Sequence, residues 1–213
     1  MSVWPESFSV EGNLVSIVPL SMEHHDDLVV AMKAGEMQRL WHTASPEPTD
    51  IASEIKRQLE ARAEGTTLPF AVIDKAKNKA VGTTSYTNID TRERRLEIGS
   101  TWYRRPIFRS PLSVECKLLL LGHAFEALDC TCVELRTHYA NTQGRQAIEQ
   151  LGARLEGMLR STTPSGDTVR DTLVYSILLA EWPGVRNNLL WRLARARSED
   201  MGPERTLVAT EAD

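Results

Sequence analysis

A strand, an arginine-rich turn and the start of a helix follow one another in residues 96–128, an order suited to holding a phosphate group. Residues 96–103 mix β-forming and apolar side chains, as a strand entering a core does. Ser110 and Pro111 then open the apolar run 112–128, and these residue types are favoured at a helix N-cap and first helical position. Free amides, the helix dipole and nearby guanidinium groups together bind phosphate, although an ordinary strand–helix connection with solvated arginines remains the alternative. The arginines of the turn are Arg104, Arg105 and Arg109.

The remaining segments predict a mixed sheet that positions this unit. Three β-type runs joined by short polar turns, 68–74, 80–90 and 95–103, indicate an antiparallel meander. A turn at residues 164–167 indicates a closing hairpin. We therefore expect one α/β or α+β domain. The other predicted strands are 14–20, 130–140, 153–163 and 169–182, and the predicted helices are 21–33, 49–62, 112–128, 141–151 with Gly152 as its stop, and 185–197.

Charge and composition describe a globular chain whose body is nearly neutral. The 213 residues are 41% hydrophobic and 25% charged, with a net charge of −4. Residues 199–213 contain five acids and one arginine, which accounts for the whole of that net charge, so residues 1–198 come out near zero. This balance favours neither nucleic acid nor a membrane surface as partner. We expect an acidic, disordered tail over 199–213 and a basic helix over 184–198.

Cysteine usage favours a reducing compartment. The chain has three cysteines in core-like segments, and none is followed by His or Cys at metal-ligand spacing. No apolar run approaches the length of a membrane span, and the first residues do not have the pattern of a signal peptide. We therefore expect buried thiols, no bound metal and a cytoplasmic location.

Several segments in one order resemble the GNAT superfamily of N-acetyltransferases, specifically its RimJ/RimL-like branch. The resemblance covers residues 12–183, which we therefore place, with the lead-in, in a single domain over 1–183. It implies acetyl-CoA as acyl donor and a primary amine as acceptor, and family members are often homodimers. It also implies a strongly twisted mixed sheet flanked by helices, splayed between its fourth and fifth strands so that pantetheine lies in the gap. The segments that carry it are GTTLPFAVID, AVGTTSYTNID, LEIGSTWY, VECKLLLLGHAFEAL, VELRTHYANTQGRQAIEQLGA and RDTLVYSI…EW.

The resemblance also implies roles for individual residues. Glu97 matches the family's E-I-G position, where a carboxylate can take a proton from the attacking ammonium; a structural pairing with Arg94 or Arg95 is the alternative. Asn141 matches an Asn that contacts the cofactor arm, and it is equally suited to an N-cap. The resemblance also implies that the backbone groups of Trp102 and Tyr103 hydrogen-bond the pantetheine amides. The expected CoA-binding set is Trp102, Tyr103, Arg104, Arg109, Ser110, Leu112, Ser113, Asn141 and Arg145.

The chain also departs from the family pattern. The usual glycine-rich phosphate loop corresponds here to residues 108–113, which contain no glycine, although Arg109, Ser110 and Glu115 fit a variant of the RimJ/RimL-like branch. The tyrosine that many members use as general acid corresponds to Ile148. Tyr175 is then a possible donor, with a packed strand tyrosine as the alternative.

Three functional hypotheses follow from these patterns. The first is an acetyl-CoA-dependent N-acetyltransferase that works by direct attack in a ternary complex. The second is a non-catalytic protein of the same fold that binds acyl-CoA or acts as a dimeric interaction module. The third is an interaction module that uses the basic C-terminal helix on nucleic acid, which the neutral body disfavours. The acceptor would be shaped by the segment near 41–45 and by the closing hairpin, and neither carries a recognisable code.

Overall fold

The computed structural model of the chain describes residues 5–33, 48–107, 110–165 and 168–200. Arg109, the segment near 41–45 and residues 201–213 of the acidic tail lie outside the described residues. The described strands are β1 (Val10–Glu11), β2 (Val15–Pro19), β3 (Leu68–Asp74), β4 (Lys79–Asp90), β5 (Arg95–Tyr103), β6 (Cys132–His138), β7 (Arg154–Ser165) and β8 (Thr168–Leu178). The described α-helices are α1 (His25–Lys33), α2 (Ile51–Ala63), α3 (Pro111–Gly122), α4 (Thr142–Leu151) and α5 (Trp182–Asp200).

Within the described residues, the strands form one mixed sheet in the order β1-β2-β3-β4-β5-β6-β8-β7. The pairings are antiparallel except for β5 with β6, which is parallel. The predicted meander is therefore confirmed as β3-β4-β5, and the predicted hairpin as β7-β8. The long connection between β5 and β6 contains α3, as a parallel crossover requires.

The sheet parts between β5 and β6, the fourth and fifth of the strands predicted from sequence. Parallel pairing joins Arg95 with Cys132, Leu96 with Val133 and Glu97 with Glu134. Beyond Glu97, the described residues of the two strands continue without further pairing. The implied splay is confirmed, and it opens a cleft between the two halves of the sheet.

Helices cover both faces of the sheet. Leu28, Met32 and Ile55 of α1 and α2 belong to one buried cluster, while α3, α4 and α5 pack into the larger one on the other face. Trp102 faces the first cluster and Tyr103 the second, because successive strand residues point to opposite faces. The side chains of α5 in the larger core are Trp182, Val185, Leu189 and Leu193.

Local signals in the sequence explain where two of these helices begin and end. Pro111 occupies the first turn of α3, as predicted, and the helix continues as a π-helical turn over His123–Ala127. Gly152 ends α4 in the left-handed region with a φ of 102°. The three cysteines, Cys116, Cys130 and Cys132, are free and buried, as expected.

Candidate functional site

The parting of β5 and β6 creates a cleft of about 220 Å³ in the middle of the sheet. It is lined by β5 on one side and β6 on the other, and residues of α3 and α4 complete the lining. Arg192 of α5 lies at its margin and donates to the backbone carbonyl of Gln150 at 3.1 Å. The other polar side chains that line the cleft are Glu97, Ser100, Thr101, Tyr103, Ser113, Lys117, Arg136, Thr137, Asn141 and Gln150.

A β-bulge shapes the β5 wall. Thr83 pairs with Trp102 and Ser85 pairs with Gly99, so β5 carries one residue more than β4 between these pairs. Ser100, within the bulge, has a φ of 45°, which is uncommon for a residue other than glycine. Bulges re-aim side chains and backbone groups next to active sites. Here the bulge places Ser100 and Thr101 against the cleft.

Glu97 is a buried carboxylate at the point where the strands part. It is 8% exposed, its Oε2 accepts a hydrogen bond of 2.6 Å from the Asn88 side chain, and Arg136 Nε lies 3.3 Å from the same oxygen. Burial raises the pKa of Glu97, and Arg136 and Asn88 oppose that shift without cancelling it. A carboxylate with a raised pKa is a better proton acceptor near neutral pH.

The partners of Glu97 come from positions that the sequence did not indicate. Asn88 reaches it from a second irregularity, where the β4–β5 register shifts between Thr87 and Asp90, and Asn88 has a φ of 46°. The ion-pair partner of Glu97 is Arg136 on β6, while Arg95 pairs with Glu134 at 2.9 Å. The alternative of a structural pairing between Glu97 and Arg95 is therefore wrong, and Arg94 contacts the Leu128 carbonyl and Asp129.

Gly99 gives the Glu97 carboxylate the space it occupies. A Cβ atom at Gly99 would lie 2.8 Å from Glu97 Oε1 and 2.9 Å from Thr87 Oγ1, closer than unstrained atoms approach. Glycine is the residue that permits such close approach. The E-I-G pattern thus has a steric basis here, because the glycine leaves room for the acid two residues before it.

Lys117 is a residue of the cleft that the sequence did not single out. It lies on α3, is half-buried, and its Nζ donates to Thr101 Oγ1 at 3.3 Å. Removal from water lowers the pKa of Lys117 from 10.5 to about 8, and Cys116 and Glu97 oppose this shift. Since residues 112–128 are apolar on nearly every face, periodicity could not indicate which face of α3 meets a cleft.

Asn141 and Ile148 lie on the α4 side of the cleft. Asn141 is the N-cap of α4: its Oδ1 accepts from the Gly144 amide at 2.9 Å, and its Nδ2 donates to Thr137 Oγ1 at 3.1 Å. The predicted capping role is confirmed, and the contact with a cofactor stays a prediction. Ile148 is buried in the wall where many relatives would carry the tyrosine acid.

The two predicted CoA-binding residues of β5, Trp102 and Tyr103, lie on opposite faces of the sheet. Tyr103 lines the cleft and is buried, and its hydroxyl donates to Cys116 Sγ at 3.3 Å. Burial raises the pKa of Tyr103 well above its usual value. Trp102 packs on the opposite face with α1 and α2, so its side chain is outside the described lining of the cleft. Only the backbone of Trp102 could serve a ligand there.

The described part of the arginine-rich turn leads directly into α3. Ser110 occupies the N-cap position of α3, as predicted, but its side chain does not cap the helix: the hydroxyl donates to the Ile107 carbonyl at 2.7 Å, and the backbone carbonyl accepts the amides of Ser113 and Val114. Ser113 lines the cleft with its hydroxyl bonded to the Ser110 carbonyl at 2.8 Å. Leu112 packs against the core.

Two predicted arginines hold buried nitrogen atoms without a hydrogen-bond partner among the described residues. These are the Nε atoms of Arg104 and Arg145. Neither side chain is part of the described cleft lining, and the Arg145 side chain also bonds the Tyr175 hydroxyl and thereby has a raised pKa. Their role toward CoA stays a prediction.

Tyr175 and Glu115 are occupied by contacts within the fold. The Tyr175 hydroxyl donates to Glu149 Oε1 at 2.9 Å, and its ring is fully buried in the main core, outside the described cleft lining. This placement favours the packed-strand interpretation of Tyr175. Glu115 accepts the backbone amides of residues 13–15 at 2.6–2.9 Å, so it ties α3 to the turn before β2.

The described ranges contain neither a cluster of metal-binding side chains nor a helix suited to cross a membrane. No group of three or more His, Cys, Asp or Glu side chains there is placed to hold a metal ion. None of the described helices has the length and apolar character of a membrane span.

Comparison with known proteins places this cleft in a family. Residues 15–154 match the family model of the acetyltransferase (GNAT) domain. The chain is 26% identical over 121 residues to the uncharacterized N-acetyltransferase p20 of Bacillus licheniformis, covering 57% of this chain and 67% of that protein. A GCN5-related N-acetyltransferase from Brucella melitensis superposes with a TM-score of 0.81 at 29% identity, over 89% of this chain and 86% of the other. RimJ of Mycobacterium smegmatis, in complex with CoA-disulfide, has the same fold at a TM-score of 0.71 and 20% identity, over 89% and 95% of the two chains. With the family model matching two thirds of its length and the split sheet around Glu97, this chain belongs to the GNAT acetyltransferases.

Proposed function

We propose that this protein transfers the acetyl group of acetyl-CoA to a primary amine by direct attack within a ternary complex. One observation carries the proposal: Glu97, a buried carboxylate with a raised pKa, lies in the wall of the cleft that opens where β5 and β6 part. Acyl transfer of this kind needs a proton acceptor for the amine and polar groups near the thioester oxygen. The cleft offers the first in Glu97 and the second in the bulge at Ser100 and Thr101.

The chemistry follows from what each group can do. An ammonium cannot attack a carbonyl, so it must first lose a proton, and Glu97 is the candidate to accept it directly or through water. Arg136 and Asn88 hold the Glu97 carboxylate by its Oε2 atom. That arrangement leaves Oε1, on the Gly99 side, for the incoming amine.

The predicted CoA-binding residues divide by position. Ser113 and Asn141 line the cleft together with Tyr103 and fit the pantetheine arm of the donor. Of the two predicted amides at the start of α3, that of Ser113 is bonded to the Ser110 carbonyl, so the amide of Leu112 is the one offered to a phosphate. Arg109 stays the predicted partner of the pyrophosphate. The RimJ of Mycobacterium smegmatis, described in complex with CoA-disulfide, has this fold, which agrees with a CoA site here.

The RimJ/RimL-like branch assignment supports two classes of acceptor, the N-terminus of a protein and a small amine. The free, buried thiols agree with a cytoplasmic location. We propose that the nucleophile is a nitrogen atom of either class of acceptor.

Donor binding is tested first, because it does not require a known acceptor. Acetyl-CoA should raise the melting temperature in a saturable way, as expected for a ligand that binds the native state. An oligonucleotide of similar charge serves as the control. No shift at millimolar acetyl-CoA would overturn the proposal at its first step.

Turnover is tested next with a panel of amines, including peptides with free N-termini, amino acids and polyamines, by following release of the CoA thiol. Glu97→Gln should lower turnover about ten- to a thousandfold and leave CoA affinity nearly unchanged, the range expected for loss of acid–base assistance. Binding of acetyl-CoA without turnover on any amine would favour the non-catalytic alternative. Full activity of Glu97→Gln would assign Glu97 a structural role.

A further inference from the structure

We propose that Lys117 is the group that donates a proton to the sulfur of CoA as it leaves, the task that the tyrosine at the position of Ile148 performs in many relatives. This inference rests on the proposed function, because it concerns the leaving group of the same reaction. It assigns a catalytic role to a residue that neither the family resemblance nor the comparisons single out.

The position of the amine is the first observation. Lys117 points from α3 into the cleft, where its Nζ is 3.3 Å from the Thr101 hydroxyl at the β5 bulge. That hydroxyl also contacts Thr84 Oγ1 at 2.8 Å, so the bulge holds the end of the lysine side chain in place. A cation fixed at the bulge is adjacent to the backbone that would bind the thioester.

The surroundings of the cleft are the second observation. Ile148 gives the α4 wall no proton donor, and the Tyr175 hydroxyl is bonded to Glu149 outside the described lining. The Tyr103 hydroxyl donates to Cys116, and burial raises its pKa well above the usual value. Unlike Ile148, Tyr175 and Tyr103, Lys117 lines the cleft and has a proton that it can lose near neutral pH.

Charge explains why this lysine can act as an acid. Burial lowers the pKa of Lys117 to about 8, with Cys116 and Glu97 opposing the shift, so the amine holds its proton at pH 7 and releases it readily. An acid with a pKa near the operating pH is effective in proton transfer. The titratable and charged groups that face the amine from the packed elements are Glu97 and Tyr103 on β5, Cys116 on α3, Arg136 on β6 and Arg192 on α5.

Glu97 first takes a proton from the acceptor ammonium and passes it to water. The neutral nitrogen then forms a bond to the acetyl carbon, and its surplus proton goes to the Glu97 carboxylate, which later releases it to solvent. The carbon–sulfur bond then breaks and its electron pair leaves with the sulfur. Lys117 gives one proton to that sulfur and becomes a neutral amine, and it regains a proton from solvent after CoA leaves.

Ionisation of the thiol of bound CoA provides a test that needs no acceptor. The ultraviolet absorbance of the thiolate is followed against pH in complexes with the parent, Lys117→Met, Lys117→Arg and the exposed-lysine control Lys56→Met. A cation beside the sulfur stabilises the thiolate, so the parent and Lys56→Met should ionise bound CoA at lower pH than free CoA. Lys117→Met should weaken thiolate binding about ten- to a hundredfold, the scale of a charge-assisted hydrogen bond. Desulfo-CoA, which lacks the sulfur, should bind the parent and Lys117→Met equally.

Turnover separates proton donation from charge alone. Lys117→Arg keeps a cation but cannot release a proton, so it should retain thiolate stabilisation while turnover falls and loses the decline above about pH 8 expected of the parent. If Lys117→Met leaves both thiol ionisation and turnover unchanged, the inference is overturned. The proposed function would still stand in that case, because the protein binds CoA. Failure of the parent to bind CoA at all would instead overturn the proposed function.

Discussion

Replacing Lys117 with methionine should make the protein more stable at neutral pH. The pKa of this lysine is lowered from 10.5 to about 8 because the cleft removes the ammonium from water. One pKa unit corresponds to about 1.36 kcal/mol, so the protonated amine opposes folding by about 3 kcal/mol at pH 7. Methionine has a similar length and no charge, and its burial incurs no such penalty.

The sign of the pH dependence follows from proton binding. Between about pH 8 and 10.5 the unfolded chain holds the Lys117 proton more tightly than the folded protein does. The stability of the parent therefore rises with pH in this window, relative to a variant without the amine. The advantage of Lys117→Met should shrink from about 3 kcal/mol at pH 7 to about 2 at pH 9 and to less than about 1 at pH 10.

Urea denaturation of the parent and Lys117→Met at pH 7, 8 and 9 measures this difference directly, because other titrating groups cancel between the two proteins. Lys56→Met removes an exposed lysine of α2 and should show no comparable trend. A Lys117→Met protein less stable than the parent at pH 7, or a difference that stays constant up to pH 9, would refute the reasoning. Greater stability combined with lost function would mark Lys117 as a residue kept for chemistry.

Substitutions at three further positions test the fold and the site. Glu115→Ala should lower the free energy of unfolding by about 3 kcal/mol or more, because it leaves the amides of residues 13–15 unpaired, whereas Glu115→Gln should be milder; equal loss in both would contradict this. Gly99→Ala should reduce turnover more than CoA affinity, measured by steady-state kinetics and calorimetry, since its Cβ would displace the Glu97 carboxylate. Arg136→Gln should move the acidic limb of the turnover–pH profile to higher pH, because Arg136 holds down the pKa of Glu97; an unmoved limb would exclude that coupling.

Local patterns explain how much of the fold could be predicted. The predicted strands 68–74 and 95–103 coincide with β3 and β5, since alternating β-formers bounded by polar turns leave few other structures open. The start of α3 at Pro111 followed from a proline preceded by serine. The two-residue strand β1 could not be predicted, because so short a run has no periodicity.

The site was less predictable because it depends on pairs of elements. The bulges at Asn88 and Ser100 arise from the register between two strands, which neither strand encodes alone. Arg136 meets Glu97 because β6 runs parallel to β5 with Glu97 beside Glu134, a register set by packing across a long crossover. The family pattern indicates Glu97 and Asn141, whereas the position of Lys117 in the cleft depends on how α3 packs against the sheet.

The short ladder between β5 and β6 is a natural hinge between the two halves of the sheet. In the described strands, the three residue pairs that join the halves lie at one end of the cleft. The stretch of β5 from Glu97 to Tyr103 is about 20 Å long, so a rotation of one half by about 10° would widen the far end of the cleft by about 3 Å while the paired end hardly moves. Glu97 and its partners lie at the paired end of the cleft, and Ser113 at the start of α3 lines the cleft as well. Entry of a long ligand and fixed geometry at the reacting atoms are thus compatible in one sheet.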